Sequence, residues 1–316
     1  MTVTQAPPVD AAGGYRHEAL LYSGTHEFLS GTLPFIRRAV NAGDPVLVVV
    51  SSEKIGMLRS NLGSDAERVG FADMAGIGSN PARIIAAWQA FASEHAGAAQ
   101  LCGIGEPAYP GRSPAELAEC ELHEALLNVA FDAATPFWLL CPYDLGTLAS
   151  QVIEGAQRTH PFVARSGRRQ ASGAFRRLDP AGPFDRPAPP RPAQTAFLPF
   201  GAGDLRRVRA FVTGQAEEAG LGQEPATGLM LAVSEIASNS LRHGGGRGEL
   251  RAWADERWLV CEVSDSGHIT APLAGRVRPA PDAGRGAGLW LANQLCDLVE
   301  IYSSARGTTV RLRQAR

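Results

Sequence analysis

Four polar side chains, Glu235, Asn239, Arg242 and His243, gather on one flank of residues 229–246. At helical periodicity they fall within roughly 100° of arc, and Leu229, Val233, Ile236 and Ser240 recur at i, i+4, i+7 and i+11 along another face. The stretch reads as an amphipathic helix stopped by glycine. A carboxylate and a carboxamide one turn apart, on a helix whose other side is core, can do chemistry together. Taken alone, the polar flank reads as a solvated surface. Two downstream pieces change that reading: Asp265-Ser-Gly267 after a strand-like run, and Gly284-Arg-Gly-Ala-Gly288-Leu opening another helix.

The elements that must position these residues follow from periodicity. A helix is expected over 204–220, with Leu205, Val208 and Val212 spaced for a core face, and a second over 226–243 behind Pro225. Strands are expected over 249–254 and 258–264 around Asp255-Glu256-Arg257, then a helix over 288–296. Runs at 299–303 and 308–312 pair across Ala305-Arg306-Gly307. Helices on one side of a mixed sheet make a two-layer α/β sandwich.

Glu-x-x-x-Asn on a helix, Asp-x-Gly, and a glycine-rich turn before a helix occur here in that order. The ordered set resembles the GHKL ATPase superfamily (gyrase, Hsp90, histidine kinase, MutL), and within it the serine/threonine kinases that act as anti-sigma factors. The resemblance covers about the last third of the chain and implies ATP and Mg2+ as cofactors. Asp265 can accept from the adenine amino group, as the matching aspartate does in the family, while Gly267 lets the backbone turn beside the base; a plain turn is the alternative. Thr308 matches a threonine that supports the adenine contact. Gly284, Gly286 and Gly288 remove side chains where backbone N–H groups approach phosphate, ahead of a helix N-terminus. Arg285 could meet the γ-phosphate or stay exposed. Asn239 offers Mg2+ an oxygen without repelling triphosphate. Glu235 matches the family's catalytic glutamate, which orients or deprotonates a serine or threonine hydroxyl in a kinase, or a water in a hydrolase. His243 matches a histidine common at this helix end, or serves as a partner of the helix dipole. Residues 268–283 would form a short lid, compact like that of the anti-sigma kinases.

Upstream, strand-like runs at 19–22, 45–50, 69–73, 101–104 and 137–141 alternate with helices over 25–41, 53–61, 81–95, 113–132 and 145–158. Ser113, Pro114 and Glu116 form a capping-box pattern. Apolar runs such as Pro-Val-Leu-Val-Val-Val predict a doubly wound, mainly parallel sheet wrapped by helices. The sole lysine, Lys54, lacks the glycines of a P-loop, so P-loop hydrolysis of ATP is excluded. His17-Glu18…Tyr22, Gly103-Ile104-Gly105-Glu106 and Cys141-Pro-Tyr-Asp144 resemble the MEDS sensory domain, a P-loop-like fold without the loop, over residues 15–162. That resemblance makes His17, Glu106, Cys141, Tyr143 and Asp144 candidates for a signal site. Their other reading is structural, with Cys141 a small core residue and His17 a satisfied polar group. No spacing among them compels a metal. His-Glu-Ala-Leu-Leu occurs at His17 and again at His123, where a phosphoacceptor reading competes with chance.

The chain has 316 residues, 45% of them apolar and 20% charged, with a net charge of −2. That fits two globular domains and predicts neither a nucleic-acid coat nor a membrane-surface binder. Five dispersed cysteines suggest no disulfide framework. Residues 1–14 read as a leader without a secretory signal, and the cytoplasm is expected. Residues 163–194, rich in Arg and Pro, read as a semi-extended linker before a 195–316 domain. The resemblances together imply a sensor-controlled regulator that sequesters an alternative sigma factor and phosphorylates a STAS-type anti-sigma antagonist, with a homodimer plausible. A histidine kinase and a non-catalytic ATP-binding module are the alternatives.

Overall fold

A computed structural model describes residues 14–179, 182–279 and 287–316. The chain divides into two compact units, Met1–Leu178 and Asp179–Arg316.

In the first unit, β1 (Arg16–Tyr22), β2 (Val46–Val50), β3 (Gly70–Asp73), β4 (Leu101–Gly105), β5 (Phe137–Asp144) and β6 (Phe162–Arg165) run parallel, and β7 (Arg168–Ala171) closes the edge antiparallel to β6. The order is β3-β2-β4-β5-β1-β6-β7. Helices α1 (Gly24–Ala42), α2 (Ser52–Leu62), α3 (Met74–Ile77), α4 (Ile84–Glu94), α5 (Pro114–Ala130) and α6 (Ser150–Thr159) supply the crossovers. The central strands are buried nearly throughout, which explains their unbroken apolar character. The Ser113–Glu116 capping box forms at the start of α5. The connections leaving adjacent β1 and β5 run toward opposite edges, which places a topological switch at their carboxyl ends.

In the second unit, β8 (Ala196–Gly201), β9 (Arg247–Ala254), β10 (Trp258–Asp265), β11 (Leu298–Ser304) and β12 (Gly307–Ala315) form a sheet of order β11-β12-β10-β9-β8. It is antiparallel throughout, where a mixed sheet was expected. Helices α7 (Leu205–Glu218), α8 (Gln223–His243) and α9 (Ala287–Leu295) accompany it. Val208, Val212, Leu229, Val233 and Ile236 share one core with Cys261, Val263, Val310 and Leu312 of the strands. The alternate residues Glu262 and Arg311 face away from that core, as a period of two requires.

Three further expectations are corrected. The helix expected over 145–158 begins only at Ser150. Before it, the Asp144 side chain and carbonyl accept from Gly146 N and Leu148 N, at 2.9 and 3.0 Å, and hold a turn. The linker expected over 163–194 is not free chain at either end. Its first residues belong to the β6–β7 hairpin. Farther on, Phe184 is fully buried, its carbonyl accepts from Ser303 N, Pro189 O accepts from Arg311, and Arg191 pairs with Glu262. Such a segment lacks apolar residues for a core of its own, yet it can cover the outer face of another sheet. Finally, β8 was unforeseen, because Pro199 interrupts its pattern; proline is tolerated in β8 because it is an edge strand. The expected leader falls almost wholly outside the described residues.

Candidate functional site

Helix α8 carries Glu235 and Asn239 half-buried and ends at Gly244, whose N–H donates to Ser240 O at 2.8 Å. A Cβ at Gly244 would collide with the Asp265 carboxylate, so the turn needs glycine for β10 to end against α8. Ser240 Oγ donates to Asp265 Oδ2 at 2.6 Å and Gly267 N donates to Oδ1 at 2.7 Å. Each oxygen keeps one lone-pair direction for a further donor. A one-way relay supports the turn from below: Ile269 N donates to Ser303 Oγ, which lies 2.7 Å from Thr308 Oγ1, which donates to Gly267 O at 2.9 Å. These groups border a cavity of about 440 Å³, lined by Asn239, His243, Asp265, Gly267 and Thr308 among others. Glu235 is not in that wall. It stands one turn before Asn239, where the first turn of α9 crosses: a Cβ on Gly288 would lie 2.9 Å from Asn239 Nδ2 and 3.4 Å from Glu235 Oε2. Gly284, Arg285 and Gly286 lie outside the described residues, as does the end of the expected lid. Its described part supplies Ile269, Thr270, Ala271 and Ala274 to the cavity wall.

In the first unit the candidate signal residues separate into two groups. Glu106 accepts from Tyr22 OH at 2.8 Å and from Lys54 Nζ, which also donates to Tyr22 at 2.7 Å. The sole lysine is thus tied into an ion pair at the carboxyl end of the sheet. Burial pushes the Glu106 carboxyl upward and the Lys54 charge opposes this; burial and Glu106 together push the Tyr22 hydroxyl up. Asp144 is a turn former with a smaller electrostatic part in both shifts. His17 and Cys141 lie inside with two residues the sequence did not single out, Glu124 and His160, all nearly inaccessible. Tyr143 lies edge-on to His160 at 5.6 Å. Burial, then the neighbouring His160, lowers His17 to about 4, while burial and Glu124 raise the Cys141 thiol well above its ordinary range. His123 is 1% exposed, so a phosphoacceptor role would require the ring to leave the core.

Residues 16–161 match the family model described as MEDS, the methanogen/methylotroph DcmR sensory domain, and residues 198–314 match that of the histidine kinase-like ATPase domain. The chain pairs a MEDS segment with a histidine kinase-like ATPase segment. A solved structure of the RsbU and RsbW domains of Rv1364c from Mycobacterium tuberculosis is similar at 21% identity and a TM-score of 0.31, covering 40% of this chain and 34% of its own. The chain thus spans about a third of that structure's length. No curated protein matches.

Within the ATPase segment, the structure brings together Asn239, His243, Asp265, Gly267 and Thr308, with Glu235 and Gly288 packed just behind. Ser240 was assigned to the core face. It is buried, but its hydroxyl fixes Asp265; an isolated hydroxyl in an apolar stripe was the available signal. Arg242 also lines the cavity and donates weakly to Asn239 Oδ1 at 3.3 Å. Within the MEDS segment, Glu124 sits in the second His-Glu-Ala-Leu-Leu copy, and His160 belongs to no motif. Among the described residues no helix is long and apolar enough to cross a membrane.

Proposed function

We propose that the ATPase segment binds Mg-ATP and transfers the γ-phosphoryl group to a serine or threonine of a STAS-type anti-sigma antagonist. The same unit would sequester an alternative sigma factor, and the MEDS segment would bias its activity in response to a signal. The observation that carries this reading is the Asp265 carboxylate. It is braced on both oxygens, keeps acceptor capacity, and borders a cavity of about 440 Å³ shared with Asn239 and Thr308. An exocyclic amine meeting Asp265 would be read by position and polarity, with the Thr308 relay keeping the Gly267 backbone in place. The Asn239–Glu235 pair offers oxygen ligands toward a cation, and among the described residues Asn239 Oδ1 is met by the long 3.3 Å contact from exposed Arg242. That donor chemistry suits Mg2+. Bound Mg-ATP would supply the transferable phosphoryl group and neutralise its charge. Glu235 would orient the acceptor hydroxyl and take its proton. Reactants of this kind place the protein in the cytoplasm.

Equilibrium titration with ATP tests the binding half of the proposal. Wild type should bind with magnesium dependence, and Asp265→Ala should lose affinity while remaining folded by circular dichroism. Equal affinity in the two proteins would remove Asp265 from the site and the reading with it.

A further inference from the structure

Four buried donors from separate parts of the MEDS segment converge: His17 on β1, Glu124 on α5, Cys141 on β5, and His160 just beyond α6. Their ligand atoms all lie within 4.8 Å of one another.

The protons around them can be assigned. Asn128 Nδ2 faces the carbonyls of Glu124, Ala125 and Thr159 at 3.2, 3.4 and 2.8 Å, so its oxygen is the atom 3.2 Å from His17 Nδ1. His160 Nδ1 lies 2.8 Å from Ala156 O. Facing acceptors, both Nδ1 atoms carry hydrogen, and the neutral rings turn Nε2 lone pairs inward. Those lone pairs meet Glu124 Oε2 at 2.9 and 3.3 Å. A carboxylate between two lone pairs is repulsive. Protonating one ring leaves the other ring's lone pair facing the carboxylate, and protonating both puts two cations, with ring centroids 4.0 Å apart, around one carboxylate in the core. Among the described residues Glu124 Oε1 has no hydrogen-bond partner, and His160 Nε2 has none apart from its 3.3 Å contact with Oε2. The arrangement lacks a central positive charge.

We propose that His17 Nε2, His160 Nε2, a Glu124 carboxylate oxygen and Cys141 Sγ form a closed, four-ligand site for a divalent transition metal of the zinc type. Ligand atoms ~2.0–2.3 Å from a tetrahedral ion lie about 3.3–3.6 Å apart. Here three of the six separations already fall in that range, His160–Glu124 at 3.3 Å and Cys141 at 3.5 Å from both His17 and Glu124. His17–Glu124 is shorter at 2.9 Å and none exceeds 4.8 Å, so small side-chain shifts complete the tetrahedron. Binding releases the Cys141 thiol proton to solvent, and thiolate plus carboxylate balance the two charges of the ion. Both imidazoles are held at Nδ1 by an acceptor, the outer contact that orients a metal-binding histidine. The ion would tie β1 and β5 to α5 and to the entry of β6.

The test uses the purified full chain, stripped with a chelator and titrated with Zn2+ and with Co2+. The expected result is one equivalent of each, with Co2+ giving tetrahedral visible bands and a thiolate-to-metal charge-transfer band. Cys141→Ser should abolish that band. His160→Gln should lower affinity at least about tenfold, and Asn128→Ala, which removes no ligand, about 10- to 100-fold, the range for an outer-contact loss. Circular dichroism of each stripped variant separates metal loss from misfolding. Absence of stoichiometric binding by folded wild type would overturn the proposal. So would a Co2+ spectrum without the charge-transfer band, or binding unchanged by both Cys141→Ser and His160→Gln.

Discussion

Asp265 depends on its neighbours for aim. Ser240→Ala removes the donor to Oδ2, a hydrogen bond to a charged group typically contributing ~1.5–3 kcal/mol. Part of that should appear as ATP affinity weakened about tenfold in equilibrium titration, with the fold retained; an unchanged affinity would show that Asp265 needs no brace. The thiols predict a pH response. Burial raises Cys261 to about 12 from an ordinary 9.0. Between those values the unfolded chain ionises this thiol while the folded chain holds its proton. Its stabilising contribution is therefore complete below about pH 9 and is lost as pH rises toward about 12. Urea midpoints measured across that range should fall, and Cys261→Ala should flatten the slope. At this scale Glu235, Asn239 and Asp265 were legible because helical spacing or a short turn carries the relationship. His17 and Cys141 stood among the candidates, but their grouping with Glu124 and His160 was not legible: a strand, a helix, a second strand and a loop each contribute one donor. Only the sheet order brings them together.

The element that sequence composition misjudged is the segment around 184–191. Arginine and proline cannot form a core of their own, but the outer face of a neighbouring sheet offers them Glu262 and Tyr302. Arg311 donates twice to Glu262, at 2.9 and 2.6 Å, and Arg191 pairs with the other carboxylate oxygen. The Glu262 side chain has no solvent exposure. Truncating one partner of such a network leaves a buried charge, so Glu262→Ala should destabilise the second unit by about 3–5 kcal/mol in chemical denaturation. Phe184→Ala should cost a similar ~3–5 kcal/mol. A loss below about 1 kcal/mol for both would mean that the segment does not strap the sheet. The buried strands and amphipathic helices were legible because period and burial agree along them. Edge strand β8 was not, since Pro199 breaks the pattern that interior strands keep.

At the scale of the molecule, each unit has its own core and its own candidate site. Calorimetry should therefore resolve two unfolding transitions. Mg-ATP at a hundred times its Kd should stabilise only the transition of the second unit, by about 2.7 kcal/mol. Zinc removal should lower only the other. A single transition moved by both ligands would show that the units unfold as one. The division into two α/β units was legible from the alternation of strand and helix periods and from the change in composition between them; what the intervening residues cover was not.

The proposed phosphoryl transfer, with Glu235 as the base, is tested most directly by following label from γ-labelled ATP, with magnesium, to STAS-domain proteins. Wild type should give acid-stable label on a STAS protein. Glu235→Gln should bind ATP equally well yet transfer at least about a hundredfold more slowly, the scale of a lost general base. Equal transfer by the two proteins, or no transfer by an ATP-saturated wild type, would contradict it.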